Sequence, residues 1–184
     1  MLIVGTSLTA GYGLDDPSDA YPTVIQRLAD SAGYRVLIQN AGLSGETSAG
    51  ALRRVDWLLR NPYDVVVIET GANDGLRGLD IDSTRANLRS IVKRVRSALP
   101  QAQIGVVQME APPNLGAAYT RRFHETFEVV AREERVVLLP FLLQGVAGVP
   151  RLNQRDGIHP NPEGAQIVGH TVWKALEQGM QLAK

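Results

Sequence analysis

The 184-residue chain has no cysteine. This excludes disulfides, thiolate nucleophiles and cysteine-ligated zinc or iron–sulfur centres. It says little about compartment, because an oxidising space does not require disulfides. Charge of one sign is also lacking: 19 basic and 19 acidic residues give a formal net charge of +0. The densest basic run is Arg85, Arg89, Lys93, Arg94 and Arg96, and its helical spacing reads as a solvated helix face. Nucleic-acid binding needs a broader basic field, so none is expected. No apolar stretch approaches the ~20 residues of a membrane span, which argues against integral membrane association. No segment has the make-up of a secretory leader. A leader on a longer precursor would place the protein in the periplasm or outside the cell; without one it would be cytoplasmic. Repeats, low-complexity tracts and linkers are missing too. At this length one domain over residues 1–184 is expected, burying roughly 70% of the surface its unfolded chain exposes. Oligomeric state is not legible.

What is present is an alternation. Short apolar runs at 2–4, 36–38, 65–68, 104–107 and 136–139 are rich in β-branched residues and nearly continuous. Strands buried on both faces have that character. Between them lie stretches of helical length. Tyr21-Pro22 opens the first, and Gly33 closes it. Residues 48–60 and 119–134 give two more, and Asp82-Ser83 opens another that Pro100 ends. The last starts at Asn161-Pro162 and runs past Trp173 toward Gln178. Strand–helix alternation predicts a parallel sheet covered by helices on both faces. Ligands of such sheets sit beyond the carboxyl ends of the strands.

Two polar stretches, Gly5-Thr6-Ser7-Leu8 and Gly71-Ala72-Asn73-Asp74, fall at strand ends, and a third, Asp156-Gly157-Ile158-His159-Pro160, lies in the loop before the last helix, so the topology gives all three a common meeting place. Together they supply a hydroxyl, an amide, a carboxylate and an imidazole, the groups needed for acyl transfer through a serine. Ser7 follows a strand in a turn of small residues; taken alone, it reads more simply as a helix cap or turn filler. Asp156 and His159 are three residues apart, so a carboxylate can orient the imidazole locally, and Pro160 biases His159 toward extended backbone. A solvated surface turn fits that fragment equally well. Asn73, at a strand end, can donate to a developing oxyanion or simply fill a turn. Gly45 follows the second strand; its backbone N–H is a further candidate donor, and an ordinary turn glycine is the plain alternative. His124 and His170 lie in helices and read as structural. Three scattered histidines without a tight carboxylate cluster argue against a metal site.

These blocks, with Asn40-Ala41-Gly42-Leu43-Ser44-Gly45, Gly75-Leu76-Arg77-Gly78 and Ala111-Pro112-Pro113-Asn114-Leu115-Gly116, run nearly the whole chain. The sequence resembles the GDSL esterases of the SGNH-hydrolase superfamily, and within it the bacterial thioesterase I/lysophospholipase/arylesterase group. The resemblance implies a flavodoxin-like three-layer α/β/α sandwich with a central parallel sheet. It implies Ser7 as nucleophile, His159 as base and Asp156 as its orienting group. The oxyanion hole would be Ser7 N–H, Gly45 N–H and the Asn73 side chain. Esters and acyl thioesters are the implied substrates, and neither cofactor nor metal is implied. Leu76, Met109 and Pro112 are candidates for the acyl-binding groove. Leu79, Leu115, Leu142 and Val146 lie in or near the same loops, as groove lining or core.

Two positions depart from the family pattern. Thr6 stands where the motif has aspartate, removing a carboxylate that would brace the nucleophile turn. Reduced activity is the expectation, and a catalytically impaired protein is one alternative. Glu110 stands where relatives often have arginine, placing a negative charge near the groove. A second alternative is a flavodoxin-like FMN or phosphate binder, using Thr6, Ser7 and Thr9 at a helix start. Gly11-Tyr12-Gly13 is no dinucleotide fingerprint, since Asp16 occupies the third glycine position. That binder would leave Asn73, Asp156 and His159 without a role.

Overall fold

The computed structural model describes all 184 residues. Five strands form one parallel sheet: β1 (Leu2–Gly5), β2 (Gln39–Gly42), β3 (Val65–Ile68), β4 (Gln103–Val107) and β5 (Val137–Leu139), in the order β2-β1-β3-β4-β5. Seven α-helices accompany them: α1 (Ser7–Ala10), α2 (Tyr21–Ser31), α3 (Ser48–Leu58), α4 (Ala72–Leu76), α5 (Ile81–Ala98), α6 (Ala117–Glu134) and α7 (Pro162–Gly179). From β1 the chain steps one way to β2, then returns the other way through β3, β4 and β5. Right-handed crossovers therefore put α2 on one face and α3, α5 and α6 on the other. The packing agrees: α2 lies against α7, α3 against α5, and α5 against α6. The result is a three-layer α/β/α sandwich.

Every residue of β1 and β3 is buried, as their unbroken apolar sequence requires between two helical layers. They belong to a continuous core cluster of 37 buried residues. None of the helices is long and apolar enough to cross a membrane.

The second strand is displaced from the apolar run at 36–38. Pairing with β1 opens at Leu2↔Gln39, so β2 is the polar segment that follows. The reason is local. The Gln26 amide of α2 takes the backbone of the apolar run, donating to Val36 O at 2.7 Å and accepting from Ile38 N at 2.8 Å. Leu37, between them, is 83% exposed. Helix boundaries shift less. Asp80, not Asp82, caps α5, accepting from Ser83 N at 2.8 Å. α6 begins two residues before Tyr119. Asn161 caps α7 through Gly164 N at 3.0 Å, with Pro162 in the first turn.

Candidate active site

The carboxyl ends of β1 and β3 meet α1 and α4 at one edge of the sheet, and the loop before α7 reaches the same edge. β1 ends in Gly5, and Ser7 is the first residue of α1. The helix start leaves the Ser7 N–H without an intrahelical acceptor. Glycine is needed where α1 sits this close to the sheet. A Cβ on Gly5 would lie 2.0 Å from Thr9 Oγ1, and one on Gly42 would lie 2.2 Å from Ala10 N.

Beneath this turn lies Glu69, fully buried just past the end of β3. Its carboxylate accepts from Thr6 N at 2.7 Å, from Thr6 Oγ1 at 2.9 and 3.1 Å, and from Thr9 Oγ1 at 2.7 Å. Thr9 Oγ1 also meets the Tyr21 hydroxyl at 2.7 Å. Burial pushes the Glu69 carboxyl up to about 7, against the downward pull of these hydrogen bonds. Thr6 is therefore a brace of the nucleophile turn in its own right, through a partner 63 residues away. The expectation that threonine leaves the turn unbraced is corrected. The same contacts disfavour a phosphate cradle, because two of the three residues it would use, Thr6 and Thr9, are committed to Glu69.

Asp156, His159 and Ser7 form a hydrogen-bonded chain. Asp156 Oδ1 accepts from Ile158 N at 2.9 Å and His159 N at 3.0 Å, while Oδ2 meets His159 Nδ1 at 2.6 Å. One carboxylate thus shapes the turn and holds the ring. The turn needs Gly157 at φ +70, and it is closed by Gln154 N donating to His159 O at 2.8 Å. On the far side of the ring, His159 Nε2 stands 2.8 Å from Ser7 Oγ. With Nδ1–H donating to the carboxylate, Nε2 is left as the acceptor for the serine proton. Burial raises the Asp156 carboxyl, but the hydrogen bonds from His159 and the two backbone N–H groups outweigh it and bring it down to about 2. The Tyr12 ring lies against the imidazole, with centroids 4.8 Å apart.

Gly45 and Asn73 are joined on the other side of the strand ends. Asn73 Nδ2 donates to Glu46 O at 3.0 Å, and Arg77 donates to Gly45 O at 3.0 Å. Gly45 has φ +76, and a Cβ there would meet nothing nearer than the Arg77 guanidinium at 3.8 Å. Next to Asn73, the buried Asp74 accepts from Ser48 N at 2.8 Å and Ser48 Oγ at 2.5 Å. This fastens α4 to the start of α3. Neither Glu69 nor Asp74 was singled out from the sequence. The signal for Glu69 was an acidic residue ending a fully apolar strand, which is costly unless it has partners.

A small apolar recess of about 10 Å³, room for roughly one water, lies beside Ser7 and His159, lined by Leu8, Tyr12, Leu14, Leu142 and Leu143. Of the residues expected in an acyl groove, Leu76 is exposed and Pro112 half-buried. Met109 is 1% exposed and belongs to the core. Gln108 N donates to Leu139 O at 3.0 Å, continuing the sheet past β4 and carrying Met109 inward. Val146 is likewise core. Glu110 meets His124 Nδ1 at 2.6 Å, and that hydrogen bond raises the imidazole. Its charge is therefore partnered within the protein. His170 is exposed on α7, not packed. No group of three or more His, Asp or Glu side chains is placed to hold a metal ion.

Residues 3–167 match the GDSL-like lipase/acylhydrolase family. The chain is 38% identical over 178 residues to the esterase TesA of Pseudomonas aeruginosa, an alignment covering 96% of this chain and 87% of that one. It is 35% identical to the thioesterase 1/protease 1/lysophospholipase L1 of Escherichia coli K12, over 96% of this chain and 83% of that one. Among solved structures, the psychrotrophic esterase EstA from Pseudoalteromonas sp. superposes with a TM-score of 0.91 at 33% identity, covering 96% of each chain. The family match over residues 3–167 and the near-full-length identity to these relatives show that the chain belongs to the GDSL-like lipase/acylhydrolase family.

Proposed function

We propose that the protein is a serine hydrolase that cleaves carboxylic esters and acyl thioesters through an acyl-enzyme on Ser7. The observation that carries this reading is the relay from Ser7 Oγ to His159 Nε2 at 2.8 Å and from His159 Nδ1 to Asp156 at 2.6 Å. An unassisted serine hydroxyl is a poor nucleophile near neutral pH, and a base in hydrogen-bond reach corrects that. As Ser7 Oγ bonds to the acyl carbon, its proton passes to His159 Nε2, and Asp156 stabilises the resulting imidazolium. The carbonyl oxygen becomes an oxyanion. Ser7 N–H, Gly45 N–H and the second hydrogen of Asn73 Nδ2 are assigned as its donors. Collapse expels the alcohol or thiol, which takes the proton from His159. Water then attacks the acyl-enzyme by the same route, releasing the acid and restoring Ser7.

The named relatives support the substrate class: they are an esterase and a thioesterase/lysophospholipase. The solved Pseudoalteromonas esterase carries monoethylphosphonate as inhibitor. The brace that Thr6 makes to Glu69 favours an active enzyme over an impaired one. The test is covalent labelling by a fluorophosphonate together with turnover of a short p-nitrophenyl ester. The native protein is expected to label at Ser7, and Ser7→Ala to lose on the order of a million-fold in turnover. Near-native turnover in Ser7→Ala would remove the serine from the mechanism.

A further inference from the structure

We propose that Arg54 is a positioning residue for the oxyanion side of the site, acting through the loop that carries Gly45 and Glu46. This rests on the esterase reading above. Arg54 lies in α3 and does not line the recess beside Ser7. Its guanidinium spans three segments that end at the site. Nη2 donates to Gly5 O at 3.3 Å, two residues before Ser7, and to Ala41 O at 2.8 Å in β2. Nε donates to Glu46 Oε1 at 2.7 Å and Oε2 at 3.0 Å, and Nη2 to Glu46 Oε2 at 2.6 Å. Glu46 follows Gly45, and its carbonyl holds the Asn73 amide at 3.0 Å. One side chain therefore links the strand leading to Ser7, the loop bearing Gly45 and, one hydrogen bond further, Asn73.

The pair sits in a built recess. The Arg54 side chain is 22% exposed and that of Glu46 only 5%. A Cβ on Gly50 of α3 would lie 2.7 Å from Glu46 Cγ, so the helix has glycine where the glutamate passes. The chemistry needs the planar fork of arginine. Several N–H groups in one plane can serve a carboxylate edge and two carbonyls together, whereas a lysine ammonium is a point charge on a flexible stem. Residues 43–47 carry no strand or helix. Oxyanion donors act by being fixed before charge develops, and a displacement of about 1 Å can cost on the order of a hundred-fold in rate. Backbone bonds from Leu43 N to Gly5 O at 2.9 Å and from Glu46 N to Leu43 O at 3.3 Å, with Arg77 on Gly45 O, hold this loop in part, and Arg54 ties its Glu46 end to β1 and β2.

The experiment measures kcat and KM for a p-nitrophenyl ester in Arg54→Lys, alone and combined with Asn73→Ala. Lysine keeps the charge, which avoids leaving Glu46 buried and unpaired. The expected result is a fall in kcat of roughly 10- to 100-fold with KM changed by less than about threefold. In the Asn73→Ala background the further loss is expected to shrink by at least about threefold, because coupled residues are not additive. A kcat within about twofold of native, or the same fold-loss in both backgrounds, would overturn the proposal. Should Arg54→Lys lack a cooperative thermal transition, Glu46→Gln is read by the same two criteria. Full turnover in Ser7→Ala would instead sink the esterase reading. An unchanged Arg54→Lys beside an inactive Ser7→Ala would remove the positioning role alone.

Discussion

Replacing Glu69 with glutamine keeps the side chain's shape and removes its proton equilibrium. The glutamine oxygen can still accept from Thr6 N and Thr9 Oγ1, while its NH2 faces the Thr6 hydroxyl, which turns to accept. Unfolded, the native carboxyl ionises near its ordinary 4.5; folded, it ionises near about 7. At the acid extreme both states hold the proton, and burial carries no cost in charge. As pH rises past 4.5 the unfolded chain releases its proton first, so stability falls until the folded state also releases near about 7. The gap between 4.5 and about 7, at roughly 1.4 kcal/mol per pH unit, amounts to about 3 kcal/mol. Other titrating groups act equally in both proteins, so the difference between native and variant isolates this carboxyl. Urea unfolding at pH 5 and pH 8 measures it. Native stability minus Glu69→Gln stability is expected to fall by about 2–3 kcal/mol between those conditions. Parallel behaviour of the two proteins across that range would refute both the burial argument and the pH window drawn from it.

Three further outcomes are expected. Asp156→Asn removes the acceptor that fixes the His159 tautomer and should lower kcat by on the order of ten-thousand-fold with KM little changed; steady-state turnover of an aryl ester checks it. Thr6→Asp places a second carboxyl against Glu69, where the two cannot both ionise cheaply. Its melting temperature should fall below native at pH 8 and the gap should narrow at pH 5, as thermal scans at both pH values would show. Gly42→Ala drives a Cβ into the backbone of Ala10 and should cost about 1–3 kcal/mol in urea unfolding. By pushing α1 off the strand ends it should also slow fluorophosphonate labelling of Ser7.

The central strands were legible because burial on both faces forces a continuous apolar run, and residues 2–4 and 65–68 have no competing partner. The edge strand was not. Apolar residues 36–38 look more strand-like than Gln39–Gly42, but Gln26, from a helix earlier in the chain, takes their backbone groups. Residue types at two strand ends and in the loop before the last helix pointed to Ser7, Asn73, Asp156 and His159 as a set, and the structure brings Ser7, Asp156 and His159 into one relay. What sequence pattern could not show was pairing at a distance. Thr6 looked like a loss because the aspartate was missing, while its partner Glu69 lies just past a strand read only for its apolar residues. Met109 sat in a presumed loop, yet the ladder between β4 and β5 runs on and draws it inward. Periodicity assigns faces; it does not say which polar group meets which.

The acid and the base of the relay lie on a single turn, locked to each other by one carboxylate, whereas the hydroxyl they serve is 152 positions upstream. The machinery is thus two parts that meet at a seam, held by the packing of α7 on α2, by Gln154 Nε2 donating to Tyr12 O at 2.7 Å and by the Tyr12 ring against His159. Loosening that seam would part His159 from Ser7 and silence the relay. Turnover would then report on whether the two ends of the chain are fastened together, well before other probes registered a loss of structure.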